Sequence, residues 1–388
     1  MVTWITFFDI GINNGLRNKL AISLARSDSE ESQKLVSTTY AILSLIFIPL
    51  LVFLIILNTF LNWASILNTP NNMIHELYLV SLILFSFFCI NFILSTINVI
   101  LLANQRPAEA AFRSLIEQFI SLVIIFIFTK TIHGSLLHLS IGLCIAPLSV
   151  LLFFNITLFK NRYKHIAPSL SKIDFSLSKS LFSLGIKFFI IQIAGIVQFQ
   201  TANIILIRSF GPYQVTDYNV CFKYFSILSM GMSILTTPLW SSVTDAYAKK
   251  DYLWITNTVK RYSKVSITFL FIGILMLFLS QYVYRFWIHN KNVVIPFSLS
   301  FWMLIFSLTS VFGGIYCGVL NGIGALKLQF MASLVSPIIF LGMCYLLIKI
   351  FHFGITAVIV SIIISNFNGY IIGPLQYRYI FFGKKAHK

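Results

Sequence analysis

Long unbroken apolar runs dominate the chain, and short polar connections separate them. A helix that crosses the hydrocarbon core of a bilayer needs about 20 mostly apolar residues. Ten runs reach that length, at roughly 38–60, 77–101, 114–131, 136–159, 181–207, 215–239, 265–288, 297–320, 329–350 and 356–376. None has the ten-residue alternation of an outer-membrane barrel strand. A helix satisfies its own backbone in lipid. The pattern therefore predicts an all-α polytopic membrane protein with about 10 transmembrane helices.

Composition narrows the class. Of 388 residues, 58% are hydrophobic and 10% are charged, where a soluble domain carries about 25% charged. A cytosolic enzyme, a disordered chain and a secreted disulfide scaffold are excluded. Cys89, Cys144, Cys221, Cys317 and Cys344 each lie inside an apolar run, as small hydrophobes rather than metal or disulfide partners. The histidines do not cluster, no pair of carboxylates reads as catalytic, and no P-loop is present.

The net charge of +17 invites a nucleic-acid reading, but its distribution argues otherwise. The connections alternate in charge. Residues 9–34, 103–113, 160–180, 241–264, 321–328 and the tail from 377 hold 21 of the 28 Lys and Arg. Basic connections stay in the cytoplasm, so both termini are expected there. The opposite connections are short and leave no room for an outer domain. Residues 1–8 are too short for the apolar core of a signal peptide.

A repeat organises the chain. Ala-Arg-Ser-Asp at 25–28 and Ala-Lys-Lys-Asp at 248–251 stand 223 residues apart, each followed by a polar stretch and then a span. Two like halves are expected, divided as 1–37 (the end of a truncated span plus a cytoplasmic loop), 38–159 (four spans), 160–180 (a cytoplasmic linker), 181–376 (six spans) and 377–388 (a cytoplasmic tail). The same offset predicts a first half that once began about forty residues before Met1, as repeats of a transporter would.

Specific residues carry a resemblance. The stretch from Asp9-Ile10-Gly11 through Asn14-Gly15-Leu16-Arg17-Asn18-Lys19 is similar to the first cytoplasmic loop of bacterial polysaccharide-export flippases. These are the O-antigen and capsule translocases of the multidrug/oligosaccharidyl-lipid/polysaccharide superfamily. Lys187 to Ile193, Phe199 to Ile205, and Phe210-Gly211-Pro212 through Thr237-Pro238-Leu239-Trp240 to Tyr247 resemble the same family. Ala202 departs from it, standing where such proteins often carry Asp. The resemblance implies two inverted-V-like lobes of six helices around a central cavity, the first lobe incomplete here. It implies alternating access, with undecaprenyl-pyrophosphate-linked oligosaccharide as cargo, and no catalytic residue or cofactor. Coupling to H+ or Na+ stays open. Expected partners are the bilayer, a polysaccharide polymerase and chain-length proteins, but not nucleic acid. The expected location is the bacterial inner membrane.

Lys223 leads the candidate cavity residues. It lies ~12 Å inside the sixth span at 1.5 Å per residue, where a cation is costly and faces a cavity or a partner. A pyrophosphate or a structural pair with Asp217 would each answer the charge. Asn219 sits one turn earlier. Lys187 lies near a span end, where it lines the cavity or snorkels. The fifth span carries Gln192, Gln198, Gln200 and Asn203; Gln192, Gln200 and Asn203 share a side, suited to sugar hydroxyls or to interhelical packing. Arg17 and Arg113 are weaker candidates for the lipid head group, against a role in topology. Glu117 either titrates in a coupled cycle or pairs with Arg113 at i−4. Gly314, Gly318 and Gly322 form a small-residue ridge for helix packing. Two rival functions remain: a multidrug exporter of the same superfamily, and a membrane glycan polymerase or glycosyltransferase.

Overall fold

The structure is a computed structural model that describes residues 11–67, 69–131, 135–287 and 295–383. The front segment 1–10, Lys291 and the basic tail 384–388 lie outside the described residues. Among the described residues all regular structure is helical. Ten segments are long and apolar enough to cross a membrane, and they coincide with the ten runs of the sequence. The chain divides into two compact units, Met1–Gly185 and Ile186–Lys388. The division falls inside a helix rather than in the 160–180 connection.

The N-terminal unit opens on α1 (Ile12–Ala25). Its charges mark it as part of a loop, yet it is a helix in the core. Ile12, Leu16 and Leu20 repeat every four residues, form one apolar stripe and are fully buried. Gly11 and Gly15 let α1 lie against 181–185: a Cβ on Gly15 would sit 2.7 Å from the Leu181 carbonyl oxygen. The first span is α2 (Ser29–Phe60), begun by Asp28, whose carboxylate accepts from the Glu31 backbone N–H at 2.9 Å. The second joins α3 (Ile74–Leu94) and α4 (Thr96–Ala103) across a break at Ser95. The third is α5 (Pro107–Thr131). Phe112, Leu115, Phe119, Leu122 and Phe126 stand exposed along one side of it at helical spacing, a lipid-facing stripe. The fourth consists of α6 (Leu136–Ser140), a π-helical turn over Ile141–Ile145, and α7 (Ala146–Lys160).

The connection after α7 is fastened to its own unit. The Tyr163 hydroxyl accepts from Asn104 at 3.0 Å, Gln33 donates to the Ala167 carbonyl, and Arg162 pairs with Glu109. Burial raises the Tyr163 pKa above its ordinary value. The Asp174 carboxylate accepts from the hydroxyl and backbone N–H of Ser176, which hold it below the usual carboxylate range.

The fifth span, α8 (Ser178–Phe210), crosses the division between units. The C-terminal unit continues with α9 (Pro212–Ala248), α10 (Tyr252–Trp287) and α11 (Phe297–Gly322). The ninth span is α12 (Lys327–Tyr345) with a π-helical turn over Leu346–Ile350. The tenth is α13 (Thr356–Ser365), a π-helical turn over Asn368–Ile372, and α14 (Gly373–Phe382). The 241–264 connection, expected to lie outside the helices, is nearly all helix. Polar sequence continues α9 and starts α10, because helices need not end where their apolar run ends.

The repeat is visible in backbone detail. Helix α1 ends at Ala25 and α9 at Ala248; α2 starts at Ser29 and α10 at Tyr252. Between them Ser27 (φ 57°) and Lys250 (φ 62°) adopt the left-handed conformation. The next residues, Asp28 and Asp251, donate their N–H groups to the Ser23 and Ala246 carbonyls at 3.0 and 2.8 Å. Both reversals are Schellman turns, 223 residues apart. The last span of each unit repeats as well. The π-helical turns at 141 and 368, and the prolines 147 and 374 that follow them, are 227 apart. The π turn and the proline both interrupt the regular hydrogen-bond ladder.

Candidate functional site

A polar cavity of about 300 Å3 lies within the C-terminal unit, walled by α8, α11, α12 and the broken tenth span. Gln198 organises it. Its amide nitrogen donates to the Ser365 hydroxyl, and its oxygen accepts from the Ser336 hydroxyl at 3.2 Å. One buried side chain thus ties three spans together, since interhelical amide bonds act as glue where water is absent. The break in the tenth span brings Asn366, Asn368 and Tyr370 to the same cavity. The Asn368 side-chain oxygen is buried and unpartnered among the described residues. No Asp, Glu, Lys, Arg or His lines the space. It is polar but neutral, suited to hydroxyl and amide groups rather than to charge.

The helix face that lines the cavity runs Ile191, Ala194, Gly195, Gln198, at i, i+3, i+4 and i+7. Gln192, Gln200 and Asn203 fall outside that lining and are half-buried. The Gln192 and Asn203 side-chain oxygens find no partner among the described residues, and Asn203 donates to the Phe199 carbonyl at 3.4 Å. Small residues one turn before Gln198 were the available signal for the inward face. Gly314 lines the cavity too, with nothing within 4 Å of an added Cβ. Only Gly318 and Gly322 of the expected ridge pack as expected, against Leu239 and the Trp240 carbonyl. At the cavity wall Gly313 lies close on the Gly369 backbone, 2.8 Å from an added Cβ.

Lys223 is exposed on α9, ~16 Å from the helix start at 1.5 Å per residue. It forms no ion pair among the described residues, with Asp217 or otherwise. Asn219, one turn before it, donates to the Val215 carbonyl at 2.9 Å and is half-buried. Lys187 is half-buried on α8.

The N-terminal unit buries charge instead. The Arg113 guanidinium pairs with Glu117 one turn along α5, and its Nε donates to the Asn98 side chain on α4 at 2.6 Å. Two residues before Asn98, Thr96 donates to Asn13 of α1 at 3.2 Å. Arg17, one turn after Asn13, is also buried, not displayed on a surface loop. A chain of polar contacts therefore links α1, α4 and α5. Among the described residues no three His, Cys, Asp or Glu side chains gather as metal ligands would.

Ten spans in two units, with helix interruptions at matching places, mark a multi-pass membrane protein. Solved structures share the fold. A MATE transporter in its bent conformation superposes with a TM-score of 0.84 at 14% identity, covering 99% of this chain and 86% of that one. An outward-facing multidrug resistance MATE transporter of the MOP superfamily gives 0.79 at 17%, covering 96% and 84%. A MOP superfamily transporter from Pyrococcus furiosus, described as having a binding pocket of reverse polarity, gives 0.81 at 15% with the same coverage. No curated protein matches the sequence significantly. The model of the polysaccharide biosynthesis protein family matches residues 1–243. The chain belongs to that family, and its fold is the one seen in the MATE and MOP superfamily structures.

Proposed function

We propose that the protein is a flippase that moves undecaprenyl-pyrophosphate-linked oligosaccharide repeat units across the bacterial cytoplasmic membrane by alternating access. The family match, joined to a transporter fold, carries this reading. Lys223 supports it. A cation far along a membrane helix needs a counter-charge, and a pyrophosphate head group supplies one. The unpartnered oxygens of Gln192 and Asn203 suit the hydroxyl donors of a glycan. A drug exporter for cations wants an available carboxylate, whereas Glu117 is held by Arg113. A proton or sodium gradient drives the cycle, both termini lie in the cytoplasm, and a polymerase and chain-length proteins take up the product.

The test is the leaflet in which labelled repeat units build up when the gene is deleted. Accumulation on the inner leaflet is expected, and accumulation on the outer leaflet excludes a flippase. Lys223→Ala should lower export about tenfold, the worth of one charge-assisted contact, with membrane insertion unchanged. Unaltered export removes Lys223 from the site.

A further inference from the structure

A second cavity of the C-terminal unit, about 540 Å3, opens where the start of α10 meets the end of α14. Its charged lining is Lys260, Lys264 and Arg378, and no acid lines it. Lys260 and Lys264 are one turn apart on one helix face, where like charges repel. Arg378 joins them from a helix more than a hundred residues later. None of the three forms an ion pair among the described residues. Topology asks only that a connection be basic. It does not ask cations from two helices to converge on one cavity.

The rest of the lining is amphiphilic. Ser263 stands between the two lysines in sequence and contributes a hydroxyl. Val259 and Phe382 are apolar, and the Tyr316 and Tyr377 rings meet edge to face at 5.5 Å. Three cations and a hydroxyl beside an apolar wall match a phosphate that carries a hydrocarbon chain. We propose that this pocket binds the phosphate head group of an anionic lipid, with the cations on the phosphate and the chain along Val259 and Phe382. Basic pockets between membrane helices hold such head groups by the same balance of charge and burial. The site stands whatever cargo the transporter carries.

Native mass spectrometry of the purified full chain tests it, with phosphatidylglycerol, phosphatidylcholine, farnesyl pyrophosphate and inorganic pyrophosphate as probes. Phosphatidylglycerol should bind well ahead of phosphatidylcholine, and the preference should fall about fivefold for each of Lys260→Gln, Lys264→Gln and Arg378→Gln. All three side chains are exposed, so the variants should stay folded and monodisperse. Arg261→Gln, an exposed neighbour outside the cavity, should leave the preference intact. Two outcomes overturn the proposal: an equal loss in Arg261→Gln, or an unchanged preference in the triple variant. Inorganic pyrophosphate binding as tightly as phosphatidylglycerol overturns it too. Farnesyl pyrophosphate displacing phosphatidylglycerol at lower concentration identifies a polyprenyl lipid as the source. The reverse order identifies a bilayer phospholipid, and either order sustains the site.

Discussion

The fourth and tenth spans break in the same way and are lined differently. In each, a π-helical turn precedes a proline, at 141 and 147 in one and at 368 and 374 in the other. Where the tenth span places Asn366, Asn368 and Gly369, the fourth has Leu139, Ile141 and Gly142. Ser365, bonded to Gln198, corresponds to His138, whose ring meets Phe128 edge to face at 5.2 Å. Gly142 faces the Ile125 side chain, and the space beside that break is walled mainly by apolar residues. The two spans share the bend and differ in its chemistry. The N-terminal unit carries a charged pair on α5, joined through Asn98 to α4. The C-terminal unit holds them as neutral hydroxyls and amides around a cavity.

That contrast sets the sizes of the expected effects. Arg113→Ala should be the most damaging change, because it leaves the half-buried Glu117 without its partner. A loss of about 2–3 kcal/mol is expected in detergent melting, and Arg113→Met with Glu117→Met should recover most of it. A double variant no better than the single one would mean that the pair is not the source of the damage. Gln198→Leu removes neutral bonds only. It should cost about 1 kcal/mol. A cost equal to that of Arg113→Ala would erase the distinction between charged and neutral networks.

The smallest effect concerns surface charge in the N-terminal unit. Asp174 titrates below the usual carboxylate range when folded. A lowered folded pKa adds stability above the unfolded value, and that stability is lost as pH falls through the folded one. Protection of the Ser176 amide, taken relative to its intrinsic exchange rate at each pH, should therefore fall reversibly in acid, while the spans keep theirs. Protection at Ser176 that is indifferent to acid would show that Asp174 does not order the connection.

The ten spans were legible because each is a run of one kind of residue. Helix α1 was not, since Arg17, Asn18 and Lys19 mask the four-residue recurrence of Ile12, Leu16 and Leu20. The Arg113–Glu117 pair could be read from spacing, because both ends lie one turn apart on one helix. The neutral cavity could not. Its residues come from four spans, and Gln198 and Ser365 are 167 positions apart. Nothing local in either neighbourhood announces the other. Four amides stand along the fifth span, and only the structure tells that Gln198 is the one turned toward its neighbours.

The reversal at Lys250 carries a cost that glycine would avoid, about 1 kcal/mol for a left-handed non-glycine residue. It has a phasing role as well. It sets the rotational start of α10, and therefore the direction in which Lys260 and Lys264 point. One residue inserted after Lys250 would turn the following helix by about 100°. Both lysines would swing away from Arg378 with no change in composition or net charge. The convergence of those cations is thus a matter of angular register, written into a turn ten residues upstream of the first of them.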